Sequence, residues 1–414
     1  LPKSLGRPYG PAIVLFLCNE KKGARDELEM RIATIIFISI FTLITGLISF
    51  YIFIRGLQSI PTNSCLRSPF IIIFWTVALS FICGRLLESV LPYFLTEILV
   101  WVGSFWIAAS LYCLLAVVAL DLLRLVNHFL PFFPAAITTH YQQAKQILGV
   151  CVFGLVGIVL IAGHINSLLP RVVTLDLSIA RKASKLKQLN IVAVSDIHLG
   201  TIVGRSRIDH IVERINSLDP DLVLLPGDIV DEDLAPVIKQ NLGEALSGIK
   251  SRLGVFAVTG NHEYIGGVED ACRYLVAHHI TMLRDQSVLI ADSVFLVGRE
   301  DRSSNRFPGG HPRKELAELM RSVDRNYPVI LMDHQPFGLE EAVAQNIDLQ
   351  ISGHTHDGQL WPVNYIVDRV YELPWGYKKT GNTNFYVSDG VGTWGPPVRV
   401  GNRPEIVNIH VKFE

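Results

Sequence analysis

Seven side chains between Asp196 and His356 are of types that bind divalent cations: Asp196, His198, Asp228, Asn261, His334, His354 and His356. They fall in ordered clusters, Asp196-Ile197-His198, Gly227-Asp228, Gly260-Asn261-His262-Glu263, Asp333-His334 and Gly353-His354-Thr355-His356. Carboxylates, imidazoles and an amide without any thiolate suit hard or borderline divalent metals, and seven donors suit two ions better than one. Asp228 is the natural bridge, because one carboxylate can bind two cations. Asp-x-His on an extended segment points both side chains to one face, and His354-Thr355-His356 does the same with two imidazoles. A glycine before Asp228, Asn261 and His354 lets the backbone turn sharply beneath a metal. Each motif alone is weak, since a lone buried histidine is usually a satisfied core residue. The weight lies in finding all of them in order, each at the end of an apolar run.

Those runs read as strands. Val172–Leu177 is a lead-in strand, and Ile191–Val194 ends at Asp196. Asp221–Leu225 ends at Asp228, Val255–Val258 at Asn261, Val329–Met332 at His334, and Ile347–Ile351 at His354. Further strands are expected near 288–290, 294–297, 385–387 and 406–411. Between them, Ile208, Ile211, Val212, Ile215 and Leu218 mark one helix face. Other helices are expected over 236–249, 268–279 and from Pro312 to Arg325. The alternation predicts an α/β domain with a mixed sheet, or two packed sheets. Donors at the carboxyl ends of strands lie where such sheets bind substrates.

This ordered set resembles the calcineurin-like metallophosphoesterase superfamily from about Asn190 onward. The resemblance implies a four-layer αββα sandwich and two divalent metal ions, with Mn, Fe and Zn all compatible with the donors. It assigns Asp196, His198 and His356 to one metal, and Asn261, His334 and His354 to the other, with Asp228 shared. It also implies that His262 is the catalytic histidine and that Asp231 orients it; the other reading of Asp231 is a helix-start residue. The reaction implied is attack on phosphorus by a hydroxide held between the cations, with His262 protonating the leaving oxygen. His354-Thr355-His356-Asp357-Gly358-Gln359, Ser388-Asp389-Gly390-Val391-Gly392-Thr393 and Arg403-Pro404-Glu405 look like the membrane-associated bacterial YkuE-type branch. That branch usually has glycine where this chain has Asp357. Serine/threonine protein phosphatases carry arginine after the Asp231 equivalent; Glu232 here argues against a phosphoprotein substrate.

The rest of the chain suggests where such a site would work. Of 414 residues, 50% are hydrophobic, and the mean hydropathy is +0.35. Uncharged apolar runs at Ile32–Ile54, Ser68–Gly84, Ile98–Leu120 and Gln146–Pro170 predict about four transmembrane helices, with spans near 32–54, 68–90, 98–120 and 147–169. Domains are therefore expected at 31–170 (membrane region) and 171–414 (metallophosphoesterase), with 1–30 as an N-terminal extension and Met30 as the candidate start. Seven basic residues (Arg31, Arg85, Arg171, Arg181, Lys182, Lys185, Lys187) flank one side, against four (Arg55, Arg67, Arg124, Lys145) on the other. The excess puts the catalytic domain on the cytoplasmic side, as expected for a bacterial inner membrane. Asp121 and Arg124 have the spacing of a helical ion pair. Cys272 is the single cysteine of the soluble region and no CxxC pair occurs, which argues against a zinc-thiolate site and a disulfide framework. A net charge of −1 and the absence of a basic run do not favour nucleic acid. The expected partners are the lipid bilayer and a phosphorylated, lipid-linked substrate such as UDP-diacylglucosamine. Tyr365, Tyr371, Trp375, Tyr377 and Trp394 are candidates to line a lipid-tolerant cap, or they pack ordinary loops. The alternative function is a non-catalytic scaffold at the membrane, and the sequence leaves the oligomeric state open.

Overall fold

The computed structural model describes residues 24–88, 90–180, 182–307 and 311–414. Most of the 1–30 extension, together with Arg181 of the basic stretch, lies outside them. Two compact units are present, one holding residues 165–394 and 399–414, the other residues up to His164 with Gly395–Val398.

The helical unit contains four long helices, Ala24–Ser59, Arg67–Leu86, Tyr93–Phe129 and Tyr141–Ser167, each long and apolar enough to cross a membrane. Their outward faces are apolar: Leu43, Ile72 and Ile158 are all more than 60% exposed. Aliphatic side chains displayed on that scale fit a lipid environment rather than water. A small interior gathers Ile52, Phe74, Cys113 and Val156. Gly103 permits one close helix approach, since a Cβ there would collide with the Phe81 backbone. The second span stops at Leu86, short of the expected 90, and the third is longer than expected.

The other unit is a sandwich of two six-stranded sheets. The first runs β1 (Arg171–Ile179), β12 (Glu405–Phe413), β2 (Gln188–Ala193), β3 (Leu222–Pro226), β4 (Val255–Val258), β5 (Thr281–Met282). The second runs β10 (Gly376–Thr380), β11 (Thr383–Val387), β9 (Leu349–Ser352), β8 (Val329–Met332), β7 (Val294–Gly298), β6 (Gln286–Ile290). β2 to β5 are mutually parallel, as are β7, β8, β9 and β11. β12 lies antiparallel to β2, and β6 and β10 are antiparallel edges, so both sheets are mixed.

Period-two alternation sets the layers. Ile191, Leu222 and Leu224 face Ile330, Ile351 and Tyr386 in the core between the sheets. Val192, Val223 and Leu225 face outward against Ile208, Ile211, Leu246 and Leu275 of the helices. On the far side, Val297, Leu331 and Phe385 pack on Leu316, Leu319 and Leu339. The result is the four-layer αββα arrangement, preceded by an all-α region.

Two expected helices are shorter than the sequence suggested. The 236–249 helix is split into Leu234–Lys239 and Leu242–Ser247, because Asn241 adopts a left-handed conformation (φ 51°) that breaks the ladder. The 312–325 helix shrinks to Leu316–Leu319 and a 3-10 turn. Its beginning is used otherwise: Arg313 Nη1 donates to Asp333 at 3.0 Å, and the Lys314 amide donates to Asp285 at 2.7 Å.

Candidate metal centre and catalytic site

Every expected donor follows a central parallel strand: Asp196 and His198 follow β2, Asp228 β3, Asn261 β4, His334 β8, and His354 and His356 β9. Both sheets therefore point their carboxyl edges at one place. The residues do not get there by strand alternation, however. Asp196, His198, Asp228, His354 and His356 all have φ between 49° and 74°, so the Asp-x-His and His-x-His segments are looped and not extended. Left-handed conformations in non-glycine residues cost about 1–2 kcal/mol each and cluster where a site demands them. Asp357 is also left-handed (φ 46°), a conformation that aspartate tolerates better than most side chains.

The preceding glycines act in two ways. Gly227 needs its positive φ of 91°, and a Cβ there would press on His334 Nδ1 at 2.5 Å. Gly260 and Gly353 instead allow close approach, since a Cβ would collide with the carboxylates of Asp228 and Asp196 respectively. Gly390 does the same for the tail motif, whose Val391 and Gly392 amides donate to the carbonyls of Ser195 and Asp196 at 3.0 and 2.9 Å.

The donor atoms converge. His198 Nε2 and His356 Nε2 stand 3.0 Å apart, and His356 Nε2 is 3.6 Å from Asp196 Oδ1. Asp228 Oδ2 lies 3.2 Å from His334 Nε2 and 3.9 Å from His198 Nε2. Asn261 Oδ1 is 3.3 Å from His334 Nε2. Metal–donor bonds of about 2.0–2.1 Å arranged tetrahedrally put donors roughly 3.3 Å apart, so these separations fit a cation. Within the centre, three groups of three side chains bring their donor atoms within 4.8 Å: Asp196/His198/His356, Asp228/His334/His354, and His198/Asp228/His262. Asp333, next to His334 in sequence, takes no part; it is tied to Arg299 and Arg313.

The protonation states of two imidazoles and the central carboxylate are consistent with binding, whereas burial lowers His334 but, without a cation, Asp228 outweighs it and raises the ring well above the ordinary imidazole value. Burial, His198 and Arg399 hold His356 well below the ordinary imidazole value. Burial and the charge of His334 push His354 down to about 3. Both rings are therefore neutral with lone pairs available, as ligation requires. Burial works to raise Asp228, but His334, His262 and His198 outweigh it and keep the carboxylate ionised. His334 donates from Nδ1 to the Pro226 carbonyl at 2.8 Å, which leaves Nε2 facing Asp228.

His262 is different. Its Nδ1 is 3.0 Å from Asp231 Oδ1, and its amide donates to Asp228 Oδ1 at 2.9 Å. Burial opposes its protonation, yet Asp228 and Asp231 raise it to about 10. Asp231 is held well below the carboxylate range, burial being outweighed by His198 and His262. The pair is thus an imidazolium on a carboxylate, beside the donors and 6.0 Å from the exposed Trp394 ring.

Two buried residues carry the site without having been singled out in the sequence. Glu263 accepts four backbone amides, from Asp228 (3.1 Å), Ile229 (2.7 Å), Val230 (2.9 Å) and Gly260 (2.7 Å), locking the β3 and β4 loops together. Its place three residues after Gly260, where a capping glutamate stands, was the available signal. Arg399 is fully buried. It donates to the carbonyls of Asp389, Gly390 and Gly392 at 2.7, 3.1 and 2.8 Å and reaches His356 Nδ1 at 3.1 Å. Nothing in its spacing announced it.

Comparison with known proteins agrees with this architecture. The calcineurin-like phosphoesterase family pattern matches residues 189–358. A transmembrane protein with metallophosphoesterase domain from Danio rerio is 33% identical over 255 residues, covering 59% of this chain and 57% of that protein. An uncharacterized metallophosphoesterase from Helicobacter pylori is 34% identical over 215 residues, with 51% and 57% covered. One from Aquifex aeolicus is 32% identical over 233 residues, with 56% of this chain and 88% of the relative covered. The chain spans little more than half the length of the Danio rerio and Helicobacter pylori relatives. Shared identity over nearly all of the Aquifex aeolicus relative, on an αββα sandwich, makes this chain a member of the calcineurin-like phosphoesterase family.

Proposed function

We propose that the chain is a membrane-anchored, metal-dependent phosphoesterase that hydrolyses a phosphodiester, phosphomonoester or pyrophosphate bond at a two-cation centre. Asp196, His198 and His356 would hold one divalent ion and Asn261, His334 and His354 the other, with Asp228 between them; Mn, Fe and Zn suit these donors. The observation that carries the reading is the position of Asp228 Oδ2, 3.2 Å from His334 and 3.9 Å from His198, between two converging donor sets. Two bound cations neutralise the phosphoryl oxygens and lower the pKa of water.

The chain's own groups complete the chemistry. His262 stands beside the donors, oriented through Nδ1 by Asp231, so Nε2 is the proton source for the leaving oxygen. Glu263 and Arg399 fix the loops that aim the donors. The proposed division is a membrane region over 31–170 and a catalytic domain over 171–414. A bacterial inner membrane with the domain on the cytoplasmic side is the orientation favoured by the basic-residue count.

A lipid-linked substrate fits the surroundings of the site. Trp394 is exposed and lies 6.0 Å from His262, and Tyr371 lies 6.1 Å from His354, so two of the candidate aromatic rings stand beside the polar centre; Trp375 instead packs on Arg171, and Tyr377 donates to Asn384. The decisive experiment is hydrolysis of bis-p-nitrophenyl phosphate by the purified chain with Mn²⁺, with and without chelator. Metal-dependent turnover is expected; its absence with intact folding would favour a binding scaffold. A screen against membrane phospholipids and nucleotide-linked lipids then identifies the substrate.

A further inference from the structure

The helical unit carries its own concentration of charge, far along the helices from the Leu86 and Tyr93 ends. Asp121 lies on helix Tyr93–Phe129 and is ion-paired with Arg124 at 2.9 Å and with Arg55 at 2.5 Å, and Tyr51 Oη donates to it at 2.5 Å. Arg55 Nε is buried with no hydrogen-bond partner among the described residues. Lys145, from helix Tyr141–Ser167, stands 5.1 Å over the Tyr141 ring and has no carboxylate partner among the described residues. Arg67, at the start of the second long helix, spends its Nη1 on the carbonyls of Leu57 and Ile60 at 3.3 and 3.0 Å, not on an acid. Four cations and one carboxylate thus gather here, and only two of the cations, Arg55 and Arg124, are paired with it.

These groups surround space. A small pocket of about 50 Å³ is lined by Arg55, Asp121, Arg124 and Lys145. Next to it, and sharing Gln58 and Lys145, a cleft of about 540 Å³ is lined by Arg67, Gln142, Ile54, Leu57 and Ile60. That size lies within the roughly 300–1,000 Å³ of small-molecule sites. Charges in membrane helices are costly and persist where they serve a ligand or a pathway, and basic pockets between such helices suit phosphorylated headgroups.

We infer that the Arg55/Arg67/Arg124/Lys145 end of the helical unit binds an anionic phosphate group, distinct from the substrate of the catalytic site. The excess of three positive charges and the orphaned Arg55 donor call for an anion. The aliphatic wall of Ile54, Leu57 and Ile60 gives an attached acyl chain a surface to lie on, so the phosphate can come from a lipid headgroup or from solution.

The test uses the full chain in detergent. Native mass spectrometry with equimolar phosphatidylglycerol and phosphatidylcholine measures lipid retention, and a separate arm measures the rise in Tm with inorganic phosphate. Preferential retention of phosphatidylglycerol identifies a lipid source, and stabilisation by inorganic phosphate that persists with chelator and is lost in Lys145→Gln identifies a soluble one; either supports the site. Lys145→Gln should weaken that preference about fivefold, the ratio corresponding to about 1 kcal/mol per basic group near a membrane surface, and Lys145→Arg should restore it. Hydrolysis of bis-p-nitrophenyl phosphate should be unchanged in both variants, which reports folding independently of the site. Equal retention of both lipids with no phosphate effect, or a preference unchanged by Lys145→Gln, would overturn the inference.

Discussion

Replacing His262 by alanine separates two roles that its position allows. The ring sits with His198 and Asp228 within metal-binding reach, yet its Nδ1 is 3.0 Å from Asp231, as an oriented acid requires. If His262 donates the leaving-group proton, His262→Ala removes general-acid catalysis, worth about 10²–10⁴ in rate, or about 2.7–5.4 kcal/mol at 1.36 kcal/mol per tenfold. The loss should sit near the upper end for an alkyl phosphate ester and near the lower end for a p-nitrophenyl ester, whose leaving oxygen needs little help from a proton. Stability should fall as well, because Asp231 loses a charge-assisted hydrogen bond worth about 1.5–3 kcal/mol. The donors assigned to the cations are untouched, so metal content by inductively coupled plasma mass spectrometry should match the unaltered protein. The assay pairs turnover on both esters with metal content of the same preparation. A metal loss that tracks the activity loss, with no dependence on leaving group, would refute the acid assignment and make His262 a ligand.

Other perturbations probe the rest of the site. Asp228→Asn, which weakens the group nearest both donor sets, should lower bound metal more than Asn261→Ala does, read by the same spectrometry; equal retention would argue against a shared carboxylate. The metal-free protein should lose stability as pH rises, because His262 has a folded value raised from 6.5 to about 10. That contribution is fully present below about pH 6.5 and lost as pH passes 10. Thermal denaturation across this window should show the fall, and Asp231→Asn should flatten it. Glu263→Gln keeps the size but removes the charge that accepts four amides, and should cost about 2–4 kcal/mol by urea denaturation; an unchanged midpoint would show that the loops hold without it.

Much of this protein is local in its chain. The apolar runs that became β2, β3, β4, β8 and β9 are short, each with donors following it, so sequence alone supplied the strands, the donor types and their order. The long uncharged runs likewise announced the four apolar helices, because span length and composition are one-dimensional properties. Backbone conformation at the donors was not legible. The sequence suggested extended Asp-x-His and His-x-His pairs, whereas both are left-handed loops, since the two sheets must turn their edges inward to meet. The helix expected over 236–249 broke at Asn241, and the one from Pro312 gave way to the demands of Asp333 and Asp285, both contacts distant in sequence. Glu263 and Arg399 acquired their positions only when β3, β4, β9 and the C-terminal tail came together. Local chemistry names which atoms are available to bind; only the packing of two sheets brings atoms 158 residues apart, such as His198 Nε2 and His356 Nε2, to 3.0 Å.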